Sequence, residues 1–216
     1  MLLAIDTSTE LAGLALYDGD IRAELTWVAG RRHSVQLLPQ VASLLDLVGL
    51  ELESLTALAA ARGPGSFTGV RVGLAAAQGL ALALNIPVFG VGSLDVLAAG
   101  QEATELPIRP LLHVGRGRFA TALYQKQAGR LAQQEEMRGV ALADLGALVD
   151  ERCLICGDLD RANRTLIRDM LGERVALASP AGSLRRPGVL AQLGWEQLSA
   201  GEAGEPSALQ PLYLSG

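Results

Sequence analysis

The sequence has few histidines, cysteines and aromatic residues, and these shortages exclude several classes of site. Its 216 residues include two histidines, two cysteines and 4% aromatic residues. His33 and His113 are far apart and form neither an HxxxH nor an HExxH pattern, and two cysteines cannot make a four-cysteine zinc site. We therefore expect no metal site and no cofactor in this chain.

Basic residues are also outnumbered, with 18 Lys and Arg against 23 Asp and Glu and a net charge of −5. A chain with this balance is poorly suited to grip a polyanion by itself. Nucleic acid would have to be held mainly by a partner. Residues 1–6 are too short and lack the basic flank of a signal peptide, and two cysteines fit a reducing compartment, so we predict a cytoplasmic protein and no membrane association.

Small and apolar residues are most concentrated at residues 61–84, ARGPGSFTGVRVGLAAAQGLALAL. The run Gly63-Pro64-Gly65 predicts a turn, because glycine permits positive φ and proline lacks an N–H. Ser66 and Thr68 then offer hydroxyls that can cap the N–H groups of a following helix. That helix is apolar on nearly all sides, which predicts burial on more than one side. Gly69 and Gly73 share one face of this helix and would let another backbone approach closely.

Three interpretations of this stretch compete: a phosphate cradle, a membrane span and a buried helix. No Lys-Ser or Lys-Thr follows the glycines, so the pattern is not a P-loop, and the glycine spacing does not fit the dinucleotide fingerprint. The length suits a membrane span, but Arg71 near the start and Gln78 near the middle argue against one. We therefore predict a helix that packs on its own sheet and against another helix.

Hydrophobic periodicity and turn residues predict a mixed order of strands and helices. Predicted strands are residues 2–5, 11–17, 21–28, 57–61, 87–91, 108–114, 118–124, 152–157 and 175–177. Predicted helices are residues 34–49, 67–84, 93–99, 142–149, 161–171 and 188–198. Residues 1–92 thus follow the order β-β-β-α-β-α-β, which is that of the ribonuclease H-like half of the actin and sugar-kinase superfamily.

Cys153-Leu154-Ile155-Cys156 has the spacing of a redox motif. On the predicted strand at 152–157, however, Cys153 and Cys156 point to opposite faces. No helix begins there to bring the two thiols together. We interpret both cysteines as structural.

Several segments carry a closer resemblance, namely AIDTSTELAGLALYDGD, RRHSVQLLPQ, ARGPGSFTGVRVGLAAAQGLALAL, IPVFGVGSLDVLA and the C-terminal PLYL. Together they resemble the bacterial TsaB (YeaZ) family of tRNA threonylcarbamoyladenosine biosynthesis proteins. The most specific piece is ARGPGSFTG. The resemblance is strong over residues 1–99, recovers at 107–124 and 206–214, and is only general in between.

The resemblance implies a two-lobed α/β fold, actin-like and ribonuclease H-like (ASKHA), with mixed sheets flanked by helices. We expect the first lobe to comprise residues 1–105 and 206–216, and the second residues 106–205. The family implies a non-catalytic scaffold that dimerises with and activates TsaD, the homologous subunit that carries the metal-binding histidine pair. The complex forms N6-threonylcarbamoyladenosine at adenosine 37 of tRNA, includes a TsaE-like ATPase, and would bring this chain to tRNA only indirectly. Alone, the chain is expected to self-associate.

The expected interface consists of helices 34–49 and 67–84, which would meet the matching pair of the homologous partner in a four-helix bundle. The residues predicted to form it are Leu37, Val41, Leu44, Gly69, Val70, Gly73 and Ala77. We expect Gly73→Leu to wedge the two proteins apart.

Asp6 has two interpretations, because it is either close to a nucleotide, as in ATP-using members of the superfamily, or the head of an Asx-turn. In the second half, His113, Arg118 and Ala120 stand where the family usually has Asp, Glu and Tyr. This departure removes the second carboxylate that ATP-using members carry.

Two rival functions belong to other classes. A stand-alone small-molecule kinase or ATPase of the actin-like fold would have to bind Mg-ATP tightly by itself. A serine peptidase using Ser66 is disfavoured, since Ser66 lies outside a Gly-x-Ser-x-Gly elbow and has only His33 as a histidine candidate within its lobe.

Overall fold

The computed structural model describes residues 1–101 and 103–214, and they form two compact units. The first unit comprises Met1–Val96 and Arg186–Tyr213. The second comprises Leu97–Arg185 with Leu214. The α/β class and the mixed sheets flanked by helices are confirmed in both units.

The elements are numbered along the chain. The strands are β1 (Leu2–Asp6), β2 (Leu11–Tyr17), β3 (Ile21–Val28), β4 (Ala57–Ala61), β5 (Val88–Val91), β6 (Ile108–His113), β7 (Arg118–Thr121), β8 (Tyr124–Gln127), β9 (Arg130–Gln133), β10 (Arg138–Ala141), β11 (Cys153–Gly157) and β12 (Val175–Leu177). The helices are α1 (His33–Leu47), α2 (Phe67–Leu84), α3 (Ser93–Ala99), α4 (Arg161–Leu171) and α5 (Pro187–Ser199).

The sheet of the first unit has the order β3-β2-β1-β4-β5. Strand β1 pairs with β2 in antiparallel register and with β4 in parallel register, and β4 continues parallel to β5. Since β3 is antiparallel to β2, it runs in the same direction as β1 and β4. Helices α1 and α2 therefore each connect parallel strands, so they run in the same direction as each other.

Helices cover both faces of this sheet. Leu, Val and Ala side chains of α1 and α2 share one apolar core with Leu3, Ile5, Leu14 and Leu16 of the sheet. Helix α5 covers the opposite face, where Leu190 and Ala191 pack with Leu2, Ala4 and Ala59. Every residue of β1 and β4 is buried, as continuous apolar strands between two helical layers require.

The position of α5 differs from the predicted domain division. Residues 106–205 were expected in the second lobe, but Arg186–Tyr213 belong to the first unit. The physical reason is close packing. Gly194 of α5 lies so near Ala59 of β4 that a side chain there would overlap it, and the Glu24 carboxylate of β3 accepts the Gly188 N–H at 3.1 Å and also binds Arg186.

The second unit repeats the strand order of the first, as β10-β7-β6-β11-β12. Its core lies between this sheet, the 3-10 segment Leu142–Leu148 and α4. The sequence predicted one strand at 118–124, whereas the chain divides into β7 and the added hairpin β8–β9. The helix predicted at 142–149 is a 3-10 segment, and strand β10 was not predicted.

Both cysteines of β11 are buried free thiols, in accordance with a structural role. Burial raises the pKa of the Cys156 thiol to about 12, and it raises that of Cys153 as well. Thiolates, rather than thiols, are the reactive species. These two side chains are therefore poorly suited to redox chemistry.

Candidate functional site

Helices α1 and α2 expose large apolar side chains on the surface of the first unit. Five of these side chains keep between 52% and 77% of their surface exposed: Val35, Leu38 and Leu47 of α1, and Phe67 and Leu82 of α2. Smaller apolar residues, among them Ala42, Ala75 and Ala83, are also exposed on the two helices. We call this surface, formed by the outward side chains of α1 and α2, the docking face.

The predicted interface residues lie on the other side of the same helices. Leu37, Val41, Leu44, Val70 and Ala77 are at most 4% exposed, and Gly69 and Gly73 are buried. This correction has a simple cause, because the larger, more continuous apolar stripe of each helix covers the sheet core. Residues that fill the core cannot also contact a partner.

The two glycines make close packing within the chain possible. A side chain at Gly69 would overlap the Thr7 carbonyl oxygen, and one at Gly73 would overlap the Thr7 hydroxyl oxygen. The Thr7 hydroxyl donates to the Gly69 carbonyl at 2.7 Å. The predicted close approach therefore exists, but it joins α2 to the β1–β2 turn. Gly73→Leu would consequently test folding and not docking.

The Gly63-Pro64-Gly65 turn packs against the same β1–β2 turn. The Ser66 N–H donates to the Ser8 carbonyl at 2.6 Å, and a side chain at Gly65 would overlap that carbonyl. Ser66 caps α2, since its hydroxyl accepts the Gly69 N–H at 3.3 Å. The Ser66 hydroxyl thus has a structural contact, as the helix-cap prediction requires.

Asp6 forms the Asx-turn predicted as one of its two interpretations. Its Oδ1 accepts the Ser8 N–H at 2.8 Å and the Ser8 hydroxyl at 2.6 Å, and all of these groups are buried. The proximity of Asp6 to a nucleotide remains a prediction. His33, at the start of α1, is also buried, and burial lowers its pKa while the Thr9 backbone and the Asp6 carboxylate act in the opposite direction.

The second-unit positions that depart from the family pattern lie around the β6–β7 turn. His113 is exposed and its ring contacts Phe119 edge-on at 5.3 Å, whereas Ala120 is fully buried. Arg118 is exposed and donates to the Gly139 carbonyl at 2.9 Å. Within residues 1–101 and 103–214, no three His, Cys, Asp or Glu side chains are grouped closely enough to hold a metal ion.

Helix α2 is long and apolar enough to cross a membrane by length and composition alone. Its inner side packs on β1 and β4, and Gln78 Nε2 donates to the carbonyls of Pro206 at 2.8 Å and Leu209 at 3.2 Å. These contacts confirm the predicted helix that packs on its own sheet and beside α1.

One sequence signal identifies the outward side of each helix. Asp46 is the only Asp, Glu, Lys or Arg in α1, and Arg71 is the only one in α2. Residues three or four apart lie on the same side of a helix, so Ala42, Leu38 and Val35 lie on the side of Asp46 in α1. By the same spacing, Phe67, Ala75 and Leu82 lie on the side of Arg71 in α2. The positions of these two charged residues therefore indicate which side of each helix is exposed.

The chain is similar to known proteins over nearly its whole length. Residues 27–149 match the family model described as "TsaD: tRNA N6-adenosine threonylcarbamoyltransferase". The chain is 36% identical, over 99% of its length and 93% of the relative, to the tRNA threonylcarbamoyladenosine biosynthesis protein TsaB of Bacillus subtilis. It is 39% identical to the Escherichia coli protein of the same name, over 64% of this chain and 61% of that one. The solved structure of YeaZ from Pseudomonas aeruginosa matches with a TM-score of 0.82 and 30% identity over 99% of both chains.

Proposed function

The chain belongs to the TsaB family, and from that premise we propose that it is a non-catalytic scaffold subunit in tRNA threonylcarbamoyladenosine biosynthesis. It docks onto a homologous, TsaD-related subunit and activates that subunit for transfer to adenosine 37. The observation that carries this proposal is the docking face, where the neighbouring helices α1 and α2 together expose five large apolar side chains. Large contiguous apolar patches on a folded chain mark interaction sites.

The size and shape of the face suit a helix-pair interface. A specific interface of standard size buries about 800 Å² on each partner. At 1.5 Å per residue, α1 and α2 extend about 22 and 27 Å, so two such helices provide a surface of the required dimensions. Docking onto a second helix pair would produce a four-helix bundle with a continuous apolar interior.

The family-model match supports a homologous partner. Residues 27–149 include α1 and α2 and match a model described for the transferase itself. Two chains that share this helix pair can present similar surfaces to each other across an approximate two-fold axis. The same argument allows the isolated chain to pair with a second copy when the partner is missing.

Charge distribution supports an indirect contact with tRNA. The first unit, which carries the docking face, has 6 Lys and Arg against 12 Asp and Glu, a net charge of −6. Such a surface repels a polyanion. We place tRNA binding on the TsaD-related subunit, energy supply on a TsaE-like ATPase, and the assembly in the cytoplasm.

Leu38→Glu tests the docking face, because it puts a charge in the middle of the exposed stripe of α1. We expect it to weaken binding to the purified TsaD-related subunit of the same cell by about 100-fold or more, since an unpaired charge would be desolvated in the interface. Isothermal titration calorimetry measures the affinity, and circular dichroism checks that the fold is retained.

Leu166→Glu is the matched control, because Leu166 is an exposed leucine on helix α4 of the second unit. It should bind the TsaD-related subunit as the wild-type chain does. Equal binding by Leu38→Glu and wild type would contradict the proposed interface.

The non-catalytic role has a separate test. We expect the isolated chain to leave ATP and tRNA unchanged, and to raise the yield of modified adenosine when it is added to the TsaD-related subunit, its ATPase and the activated threonylcarbamoyl donor. Turnover of Mg-ATP by the isolated chain at an ordinary enzymatic rate would instead favour the kinase or ATPase alternative.

A further inference from the structure

Three side chains from distant parts of the chain meet at one end of the docking face. The rings of Phe67 and Tyr213 stack with centroids 5.5 Å apart and planes inclined by 26°. The guanidinium carbon of Arg71 lies 3.9 Å from the centroid of the Phe67 ring, and Arg71 Nε donates to the Tyr213 hydroxyl at 2.9 Å. We call these three residues the aromatic–arginine cluster.

The C-terminal segment is fastened to the first unit at several points, and these points determine where Tyr213 lies. Leu209 is buried in the core beneath α2, and the Leu212 N–H donates to the Arg62 carbonyl at 2.6 Å. Gly63 passes so close to the Leu212 carbonyl that a side chain there would overlap it. Tyr213 is thereby brought to α2 although it is 142 residues from Arg71 in sequence.

The cluster holds the only cation of the two docking helices in a defined place. A guanidinium stacked on a ring and bonded through Nε keeps its two terminal amino groups available, and neither of them makes a hydrogen bond or ion pair within residues 1–101 and 103–214. Because its rotamers are already restricted, Arg71 would lose less conformational entropy on binding than a free surface arginine. Arginine and tyrosine are both enriched among the residues that dominate interface energies.

The charges on the docking face fit a two-fold arrangement. Counted along the helix axes at 1.5 Å per residue, Arg71 lies about 7 Å before the midpoint of α2, and Asp46 lies about 9 Å beyond the midpoint of α1. Since α1 and α2 run in the same direction, a two-fold axis perpendicular to them would place a homologous helix pair antiparallel to this one. The end corresponding to Asp46 would then lie at about the same level along the helix axes as Arg71.

We propose that Arg71, held in position by Phe67 and Tyr213, binds a carboxylate at the C-terminal end of the first helix of the homologous subunit and thereby sets the register of docking. Tyr213 is a positioning residue in this arrangement, so the C-terminal segment is part of the docking face. The inference rests on the proposed function, because it assigns a specificity determinant to the same interface. Charge-assisted arginine–carboxylate contacts supply geometric specificity that an apolar stripe lacks.

Calorimetric titration of the purified TsaD-related subunit, at low salt and at about 0.5 M salt, tests the inference. Arg71→Met should weaken binding about tenfold at low salt and should reduce the salt dependence of the affinity. Tyr213→Phe keeps the ring but removes the hydroxyl that accepts a hydrogen bond from Arg71. It should lower the affinity less than Arg71→Met does, and it should also reduce the salt dependence of the affinity. Arg168→Met, at an exposed arginine of α4, is the matched control.

The outcomes separate this inference from the proposed function. Wild-type affinity and salt dependence in Arg71→Met, together with lost binding in Leu38→Glu, would overturn the role of Arg71 and leave the docking face intact. Wild-type binding by Leu38→Glu would instead overturn the docking face. If Tyr213→Phe lowers the melting temperature enough to explain its lower affinity, then Tyr213 has a structural role only.

Cross-linking tests the register directly. Arg71→Lys places a primary amine at the same position, and a zero-length carbodiimide reagent joins an amine only to a carboxylate that touches it. Mass spectrometry of the complex should find the cross-link at the C-terminal end of the partner's first helix. A cross-link to any other element, or none in a complex that forms normally, would overturn the proposed register.

Discussion

The two units share one strand order but present very different helices to their surroundings. Helix α2 follows the fourth strand of the first sheet and has one charged residue in 18, whereas α4 follows the fourth strand of the second sheet and has four in 11. Arg161, Arg168 and Asp169 of α4 are exposed, so its outer side is that of an ordinary solvated helix. The same fold therefore exposes mainly apolar side chains on α2 and several charged side chains on α4.

The interiors of the units differ as well. The buried arginines, Arg109 and Arg185, both lie in the second unit and are paired with carboxylates. The first unit instead buries Asp6, Thr7 and Ser8 in its first turn, against which α2 packs closely through glycines. Close backbone packing thus holds α2 on the first sheet, while ion pairs stabilise the interior of the second unit. The predictions below test that difference.

The largest effect is expected at Gly73, where α2 packs against the Thr7 hydroxyl. Gly73→Leu should destabilise the protein by about 3 kcal/mol or more, because a leucine side chain has no room without displacing α2 from the sheet. Thermal and urea unfolding of the isolated chain measure the loss. Gly79 is the control on the same helix, since a side chain there meets nothing within 4 Å.

Gly79→Ala should instead stabilise the protein by about 0.5–1 kcal/mol, since alanine is the better helix former. Similar stabilities for the Gly73 and Gly79 variants would show that close packing does not hold α2. That result would remove the difference drawn between the two interiors.

The glycines before and within α2 show which features of the fold could be predicted from the sequence. Turn chemistry and periodicity predicted Gly63-Pro64-Gly65, the Ser66 cap and the exact span of α2, because these features depend on local backbone preferences. The order of strands and helices along residues 1–92 was also predicted from such patterns. Close approach at Gly69 and Gly73 was also predicted, but its partner was taken to be another protein. The sequence shows how the glycines are spaced along α2. Which backbone they contact depends on the tertiary fold.

The docking face is a feature that hydrophobic periodicity alone could not predict. Both sides of α2 are apolar, so periodicity alone could not decide which side faces the sheet. Tyr213 had no local signal at all, because its contact with Arg71 depends on the path of the C-terminal segment. In the second unit, the short strands β8 to β10 contain many polar residues and lack the apolar alternation on which strand prediction depends.

A smaller effect is expected at the buried ion pair of the second unit. Arg109 is 2% exposed and binds both carboxylate oxygens of Glu135 at 3.1 Å. Glu135→Gln should cost about 2 kcal/mol, less than a fully buried pair, because Glu135 is partly exposed. Urea unfolding measures this loss of stability.

Lys126→Met, which breaks the exposed pair with Glu105, should change the stability by less than about 0.5 kcal/mol. Equal effects of the two variants would refute the view that burial makes the Arg109 pair important.

Cys156 provides a pH-dependent probe of the same unit. Burial raises the pKa of its thiol from 9.0 to about 12, so the unfolded chain loses this proton first as the pH rises above 9. The stability contributed by the protonated thiol is therefore present below pH 9 and is lost towards pH 12, at up to about 1.4 kcal/mol per pH unit. Urea unfolding from neutral to alkaline pH should show a shallower decline for Cys156→Ala than for wild type. Parallel curves would contradict the assigned cause.

The smallest effect is expected at His33 of the first unit, and it has the opposite sign. Burial lowers the pKa of His33, while contacts with the Thr9 backbone and the Asp6 carboxylate partly offset that shift. The unfolded chain therefore binds a proton more readily, so the stability present above the ordinary histidine pKa is lost as the pH falls. His33→Gln should flatten the decline in unfolding free energy between about pH 7 and pH 5. An unchanged acid response in His33→Gln would contradict burial of the imidazole at the start of α1 as the cause of the lost stability.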